Sequence, residues 1–335
     1  MKAMVFSRHG DVSELKFVEL ANPEIADDEV LIRVRAVALN GFDPMMLAGS
    51  TKLKTPFPMA PCGDFAGEIV ATGADVSEDW SVGDHVSGYP IIPGKGMMGE
   101  VTMGAASELL ALPASCLVRM PNGLSFEDAA ALPVAYGTAL RMMETRGRVA
   151  AGERVLVLGA TGGVGVAAIQ IAKRAGAEVV ACGGGRWKLE KLSSIGADHV
   201  IDTSEVDFLS AVRDLFGKPA YDGASDGGVD VVVNYIGGDT WVRALKTLKR
   251  YGRVLVCGAT AGYDPQTDLR YIWSFEQSVV GSNGWTIDDQ NKLMQLAVSG
   301  EVKPLIHAVR PLSQMRDAMQ ELIDRQVVGK SVLTL

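Results

Sequence analysis

The chain has 335 residues, which at about 150 residues per domain predicts two domains and a core large enough to fold without disulfide or metal staples. Hydrophobic residues make up 47% and charged residues 21%, which excludes a disordered chain. The net charge is −8 and no basic stripe is present, which excludes nucleic acid and anionic membranes as expected partners.

Residues 1–120 read mainly as β-structure. Apolar or alternating runs at 29–39, 67–72 and 107–113 are separated by glycine- and acid-rich clusters. The N-terminal MKAMVFSRHG reads as a short strand, not as a secretory signal. Asp84 and His85 fall in one of the clusters and read as turn chemistry. From about Leu124 the pattern becomes helical: Ser125 is a predicted N-cap, Asp128 lies in the first turn, and Pro133 should divide the helix. Continuous apolar runs then recur at 154–159, 178–182, 199–202, 229–236, 253–258 and 278–282. Helical segments lie between most of them, at 163–175, 186–195, 205–216 and 239–250. Fully apolar strands alternating with helices predict an α/β fold with a six-stranded, doubly wound parallel (Rossmann) sheet. The last fifty residues read as helix, strand, helix and a final strand that returns to the N-terminal domain. The expected division is therefore 1–123 with 288–335, and 124–287.

No apolar stretch approaches the ~20 residues of a membrane span, and the expectation is a soluble cytoplasmic protein. Cys62, Cys116, Cys182 and Cys257 form no CxxC pair, and the four histidines are equally scattered, so neither a zinc ribbon nor a redox dithiol is expected.

The strongest local signal is RVLVLGATGGVGVAAIQIAKRAGAEVVAC. A strand ends at Gly159 and a helix starts near Gly163, so Thr161, Gly162, Gly163 and Val164 should bring backbone N–H groups to a dinucleotide pyrophosphate. Gly165 would let the helix pack closely on the strand. The next strand carries Gly183, Gly184 and Gly185 where an NAD site usually places an acid. Glycines leave room for a 2′-phosphate, and Arg186 and Lys188 follow as cationic donors, which predicts NADPH. Cys257, Gly258 and Ala259 follow the fifth strand at the carboxyl edge, where ligands bind such sheets.

The stretches ALNGFD (38–43), PCGDFAGEIVATG (61–73), VGDHVSGY (82–89), AAALPVAYGTAL (129–140), the glycine loop and the terminal VVGKSVLTL together resemble the medium-chain dehydrogenase/reductase superfamily over nearly the whole chain. Within it the sequence is similar to the zinc-free quinone oxidoreductase and enoyl reductase branch. The resemblance implies a GroES-like domain built from both chain ends, a Rossmann domain, and an active-site cleft between them. It implies that Thr138 faces the cofactor and that Val164 packs behind the nicotinamide. It also implies that zinc relatives carry ligands where this chain has Asn40, Gly63 and Ala130, so no metal is expected. Asp43 and Asp64 are expected to tie the barrel together.

Without a Lewis acid, conjugate reduction of an enone or quinone is favoured over alcohol oxidation, because charge spreads over an enolate or hydroquinone. The expected catalytic polar groups are Asn40, beside the nicotinamide, and the candidate donors Tyr89 and Tyr136. Tyr235 and Trp285 lie near the same predicted site, and Tyr235 is grouped with the cofactor residues. Met45, Met46, Met59, Met97, Met98 and Met103 suggest an adaptable pocket for a small hydrophobic substrate or, equally, core filling. Residues 277–283 should form an exposed sheet edge that pairs with a second copy, giving a homodimer or a tetramer. A zinc-free alcohol dehydrogenase or carbonyl reductase, and a non-catalytic NADPH-binding protein, remain open alternatives.

Overall fold

Alternation of buried and exposed side chains sets the first strands of the computed structural model, which describes all residues except residue 52. Strands β1 (Lys2–Val5) and β2 (Lys16–Glu19) pair antiparallel. The long β3 (Glu29–Leu39) follows, then the short helix α1 (Asp43–Ala48), which starts on Asp43-Pro44 and ends at the left-handed Gly49. β4 (Asp64–Thr72) and β5 (His85–Gly88) continue the sheet; β6 (Ile91–Ile92) and β7 (Gly96–Met97) form a separate small ladder. β8 (Leu109–Pro113) pairs with β3, and β9 (Leu117–Arg119) pairs with β5. Asp84 does what a turn acid does: it accepts from the Ser81 N–H and pairs with Arg119 at 3.0 Å.

Helix α2 (Phe126–Ala131) begins on Ser125, whose hydroxyl accepts from the Asp128 N–H at 3.0 Å. Pro133 opens a second helix, α3 (Pro133–Leu140), dividing the pattern where its missing N–H requires. A single π-helical segment, Arg141–Arg146, follows directly; the sequence pattern contains no sign of it.

The parallel sheet then begins. Its strands are β10 (Arg154–Leu158), β11 (Glu178–Gly183), β12 (His199–Asp202), β13 (Val229–Val233), β14 (Leu248–Val256) and β15 (Ser278–Gly281). Their spatial order is β12-β11-β10-β13-β14-β15, the doubly wound order with its reversal between β10 and β13. The intervening helices are α4 (Gly163–Arg174), α5 (Arg186–Ser194), α6 (Phe208–Phe216), α7 (Thr240–Thr247) and α8 (Leu269–Ser274). Helix α7 stops at Thr247, short of the expected 250, because Leu248 already pairs with Val229 across a register shift. Val155–Leu158, Val179–Cys182 and Val231–Val233 are all buried, as strands covered on both faces must be.

Helix α9 (Ile287–Val298) starts on a capping box made by Thr286 and Asp289. Strand β16 (Ile306–Pro311), helix α10 (Met315–Ile323) and strand β17 (Lys330–Thr334) return the chain to the first sheet, with β17 antiparallel to β3. Two compact units result: Met1–Ala135 with Thr286–Leu335, and Tyr136–Trp285. The first break falls later than residue 123 because α2 packs on β3, β4 and β17, and the Val134 N–H donates to Asp64. Met46, Met59 and Met98 are buried in the first unit, which suits filling; Met98 also borders a small cavity with Met103.

Among the described residues, no helix is long and apolar enough to cross a membrane.

Candidate functional site

Two constellations carry the chemistry. The first, in the second unit, is the turn from β10 into α4. Gly159 has φ +70°, and Gly162 is an N-cap without a side-chain cap. A Cβ at Gly165 would stand 2.6 Å from both the Gly159 carbonyl oxygen and the Ala160 Cα, so only glycine lets the helix lie this close to the strand. The N–H groups of Gly163 and Val164 open the helix and have no intrahelical acceptor, so they fit an anion.

Tyr235, just after β13, braces this turn. Its hydroxyl donates to the Gly159 carbonyl at 2.5 Å, and the Gly165 N–H points at the hydroxyl oxygen. Burial, then the neighbouring Cys257, holds its pKa well above the ordinary phenol value. Tyr235 is thus a positioning residue for the loop. Thr138, Thr161 and Val164 are half-buried, and Gly162 is exposed.

At the carboxyl end of β11, the Gly183 position faces Thr161: a Cβ there would lie 2.7 Å from the threonine methyl, which would have to move aside for any side chain. The Arg186 side chain is 95% exposed and lies 3.6 Å from Glu190. Lys188 packs over the Trp187 ring at 5.6 Å. The acid beside the triplet is Asp202 on the neighbouring strand, in register with Gly183; it accepts from Ser204 and from the Gly185 N–H. Cys257, Gly258 and Ala259 leave β14 at the same edge of the sheet, with burial pushing the Cys257 thiol up to about 12. The loop is held by bonds from Thr260 to the Tyr235 carbonyl and from Ala261 to that of Ile236.

The second constellation, in the first unit, is a buried polar node. Lys330, on β17, is 2% exposed, and its ammonium donates to Asp64 at 2.9 Å and to the Asn40 amide oxygen. Asn40 Nδ2 donates to the same Asp64 oxygen at 2.9 Å, while the other Asp64 oxygen accepts from the Val134 N–H. Asp43 accepts from the N–H groups of Asn40 and Cys62. Burial raises the Asp43 carboxyl to about 6, against the lowering by those two N–H groups and by Lys330. Burial, with Asp43 and Asp64 nearby, also pushes the Cys62 thiol well above its ordinary value, so it is held protonated.

Several expected roles change here. The Asn40 amide is spent on Lys330 and Asp64, so it is a structural junction rather than a group offered to a substrate. Tyr136 is fully buried on α3 with its hydroxyl 3.4 Å from Gln170. Tyr89 is half-buried, its N–H bonded to Cys116. Trp285 is a packing group: its indole fills the space over Gly137, where a Cβ would sit 2.7 Å from the ring. Lys330 was not singled out from the sequence. The signal was there, a lone cation inside the apolar run VVGKSVLTL.

Of the three positions where the family resemblance expects zinc ligands, Gly63 and Ala130 carry no donor side chain, and the Asn40 oxygen is taken by an ammonium. Among the described residues, no three His, Cys, Asp or Glu side chains cluster as a metal site would require.

Comparison with known proteins identifies the family. The family models "Alcohol dehydrogenase GroES-like domain" and "Zinc-binding dehydrogenase" match residues 26–122 and 163–299. A 2-methylene-furan-3-one reductase from Solanum lycopersicum is 35% identical over 99% of this chain and 79% of its own length. The NADPH-dependent alkenal/one oxidoreductase of Arabidopsis thaliana chloroplasts has the same identity and coverage. A crystal structure of an NAD-dependent alcohol dehydrogenase superposes with a TM-score of 0.91 at 30% identity, covering 100% of both chains. The fold implies a nicotinamide dinucleotide as cofactor, and the glycine turn fits one. The chain is an oxidoreductase of the medium-chain dehydrogenase/reductase superfamily, in its quinone oxidoreductase-like branch.

Proposed function

We propose that this chain is an NADPH-dependent, zinc-independent reductase of α,β-unsaturated carbonyls or quinones. The observation that carries the reading is the Lys330 ammonium held between Asp64 and Asn40, the last being one of the three positions where the family resemblance expects a zinc ligand. A fixed buried cation repels a metal ion, and the remaining side chains supply neither thiolate nor imidazole. When bound, the cofactor supplies hydride.

The glycine turn and the α4 N-terminus hold the pyrophosphate, with Tyr235 fixing the loop conformation. In this reading Arg186 and Lys188, at the start of α5, receive a 2′-phosphate beside Gly183–Gly185. Without a Lewis acid, an acceptor that delocalises negative charge is reduced most readily, and water can deliver the proton. The two plant relatives, named for 2-methylene-furan-3-one and for alkenals and alkenones, point to the same acceptor class.

The likeness to an NAD-dependent alcohol dehydrogenase favours a second reading, zinc-free carbonyl reduction. NADPH oxidation measured with but-3-en-2-one, 1,2-naphthoquinone and matched saturated ketones separates the two. Turnover of the enone and quinone is expected; turnover confined to the saturated ketones establishes the second reading instead. NADPH binding with no turnover of any acceptor would leave a binding protein.

A second copy of the chain is the proposed partner. Strand β15 ends the parallel sheet, and Val279 on it is 52% exposed; its outer edge, where the Gly281 carbonyl accepts from Arg146, suits a two-fold pairing.

A further inference from the structure

The parallel strands of the second unit all point their carboxyl ends at the cofactor loops. A separate cavity of about 600 Å³ opens at the opposite edge, where the chain leaves α6, passes through residues 217–228 into β13, and enters β14 at Leu248. No residue of the cofactor turn or of the buried node lines it.

Its lining is unlike the rest of an acidic chain. Arg213, Lys218, Lys246 and Arg270 face Asp222 and Asp268, an excess of two positive charges in a protein of net charge −8. Asp268 is already matched, bonded by Arg270 at 2.8 Å. Arg213 stands on the same wall; among the described residues its Nε is buried and has no hydrogen-bond partner. Guanidinium and ammonium groups around a cavity hold an anion through charge-assisted hydrogen bonds.

The remaining wall is aromatic. Tyr271 and Phe275 stack at 20° with centroids 5.9 Å apart, and Tyr221, 62% exposed, meets Phe275 edge-on at 6.4 Å. The Lys246 ammonium lies 5.8 Å from the centre of the Tyr271 ring. Cations beside aromatic faces recognise a flat ring that carries a negative group.

We infer that this cavity is a second ligand site, separate from the cofactor turn, for a small aromatic anion bearing phosphate or carboxylate. The ring lies against Tyr221 and Tyr271, and the anionic group is received by Arg213, Lys218 and Lys246.

The test is a fluorescence titration of the full chain with 1-naphthyl phosphate, 2-naphthoate and 1-naphthol, with and without saturating NADPH. Saturable binding of an anionic probe is expected, unaffected by NADPH and at least about tenfold weaker for 1-naphthol. Whichever of the two anionic probes binds tighter identifies the preferred anionic group. Lys218→Ala with Lys246→Ala should weaken the anionic probe by at least about tenfold and leave NADPH affinity unchanged. Lys218→Ala alone, at an exposed position, repeats the test in the same direction if the double variant folds poorly. Absence of saturable binding, displacement by NADPH, equal affinity for 1-naphthol, or indifference to both variants would overturn the assignment. The titration without dinucleotide reads the cavity by itself, so failure of the NADPH reading does not decide it.

Discussion

The cofactor turn and the buried node solve the same problem, holding charge in place, by opposite means. The turn spans Gly159–Gly165 and uses backbone: a left-handed glycine, a helix start and one tyrosine brace. The node uses side chains from four places in the chain, Asn40, Asp43, Asp64 and Lys330, brought together by β3, α1, β4 and β17. The turn remains open to a ligand, whereas the node is satisfied internally. Backbone donors can serve a visiting anion because they are already fixed, while a desolvated ion pair is stable only when its partners are permanent.

If that contrast is right, removing one member of the node should cost the most. Lys330→Met leaves Asp64 buried without its cation and should lower stability by about 3–5 kcal/mol, seen as a fall in the urea midpoint. Lys330→Met combined with Asp64→Leu should recover part of this. A single variant as stable as the parent would show that the node is not an ion pair of consequence.

The Asp43 carboxyl sharpens the same side of the comparison. Its folded pKa, about 6, lies above its unfolded value, so the native state holds the extra proton in between. Its favourable contribution is therefore full below about pH 4 and is lost as pH rises through 6. Relative to Asp43→Asn, the parent should lose stability from pH 4 to pH 7, by no more than about 3 kcal/mol. Thermal midpoints of both proteins across that range check the sign; a relative gain would reverse it.

On the side of the turn, Gly165→Ala drives a methyl into the Gly159 carbonyl. It should cost about 1–3 kcal/mol and weaken dinucleotide binding, read by fluorescence titration. Unchanged affinity would mean that the close approach of α4 to β10 does not shape the site.

Arg186→Ala with Lys188→Ala should weaken NADPH about tenfold and leave NADH nearly unchanged, since only one carries the 2′-phosphate. Equal losses for both would place phosphate recognition elsewhere.

The turn was legible in sequence because its elements are local: strand, glycines and helix adjoin within one short stretch, and the apolar runs on either side fix the sheet. The strand order followed from the regular alternation after residue 150. The node was only half legible. Asp43 and Asp64 were expected to tie the barrel together, but their cation is 266 residues from Asp64, and no periodicity links strands that distant. Without Lys330, Asn40 looked available to substrate. Tyr136 looked available because a helix pattern does not say which face is covered. The π segment at 141–146 and helix α8 were also missed, being short elements set by tertiary packing.

The most direct test is metal analysis joined to turnover. The purified chain should reduce but-3-en-2-one or 1,2-naphthoquinone with NADPH at the same rate before and after exhaustive dialysis against a chelator, and should carry no stoichiometric zinc. One tightly held zinc per chain, whose removal abolishes that activity and whose return restores it, would contradict the account.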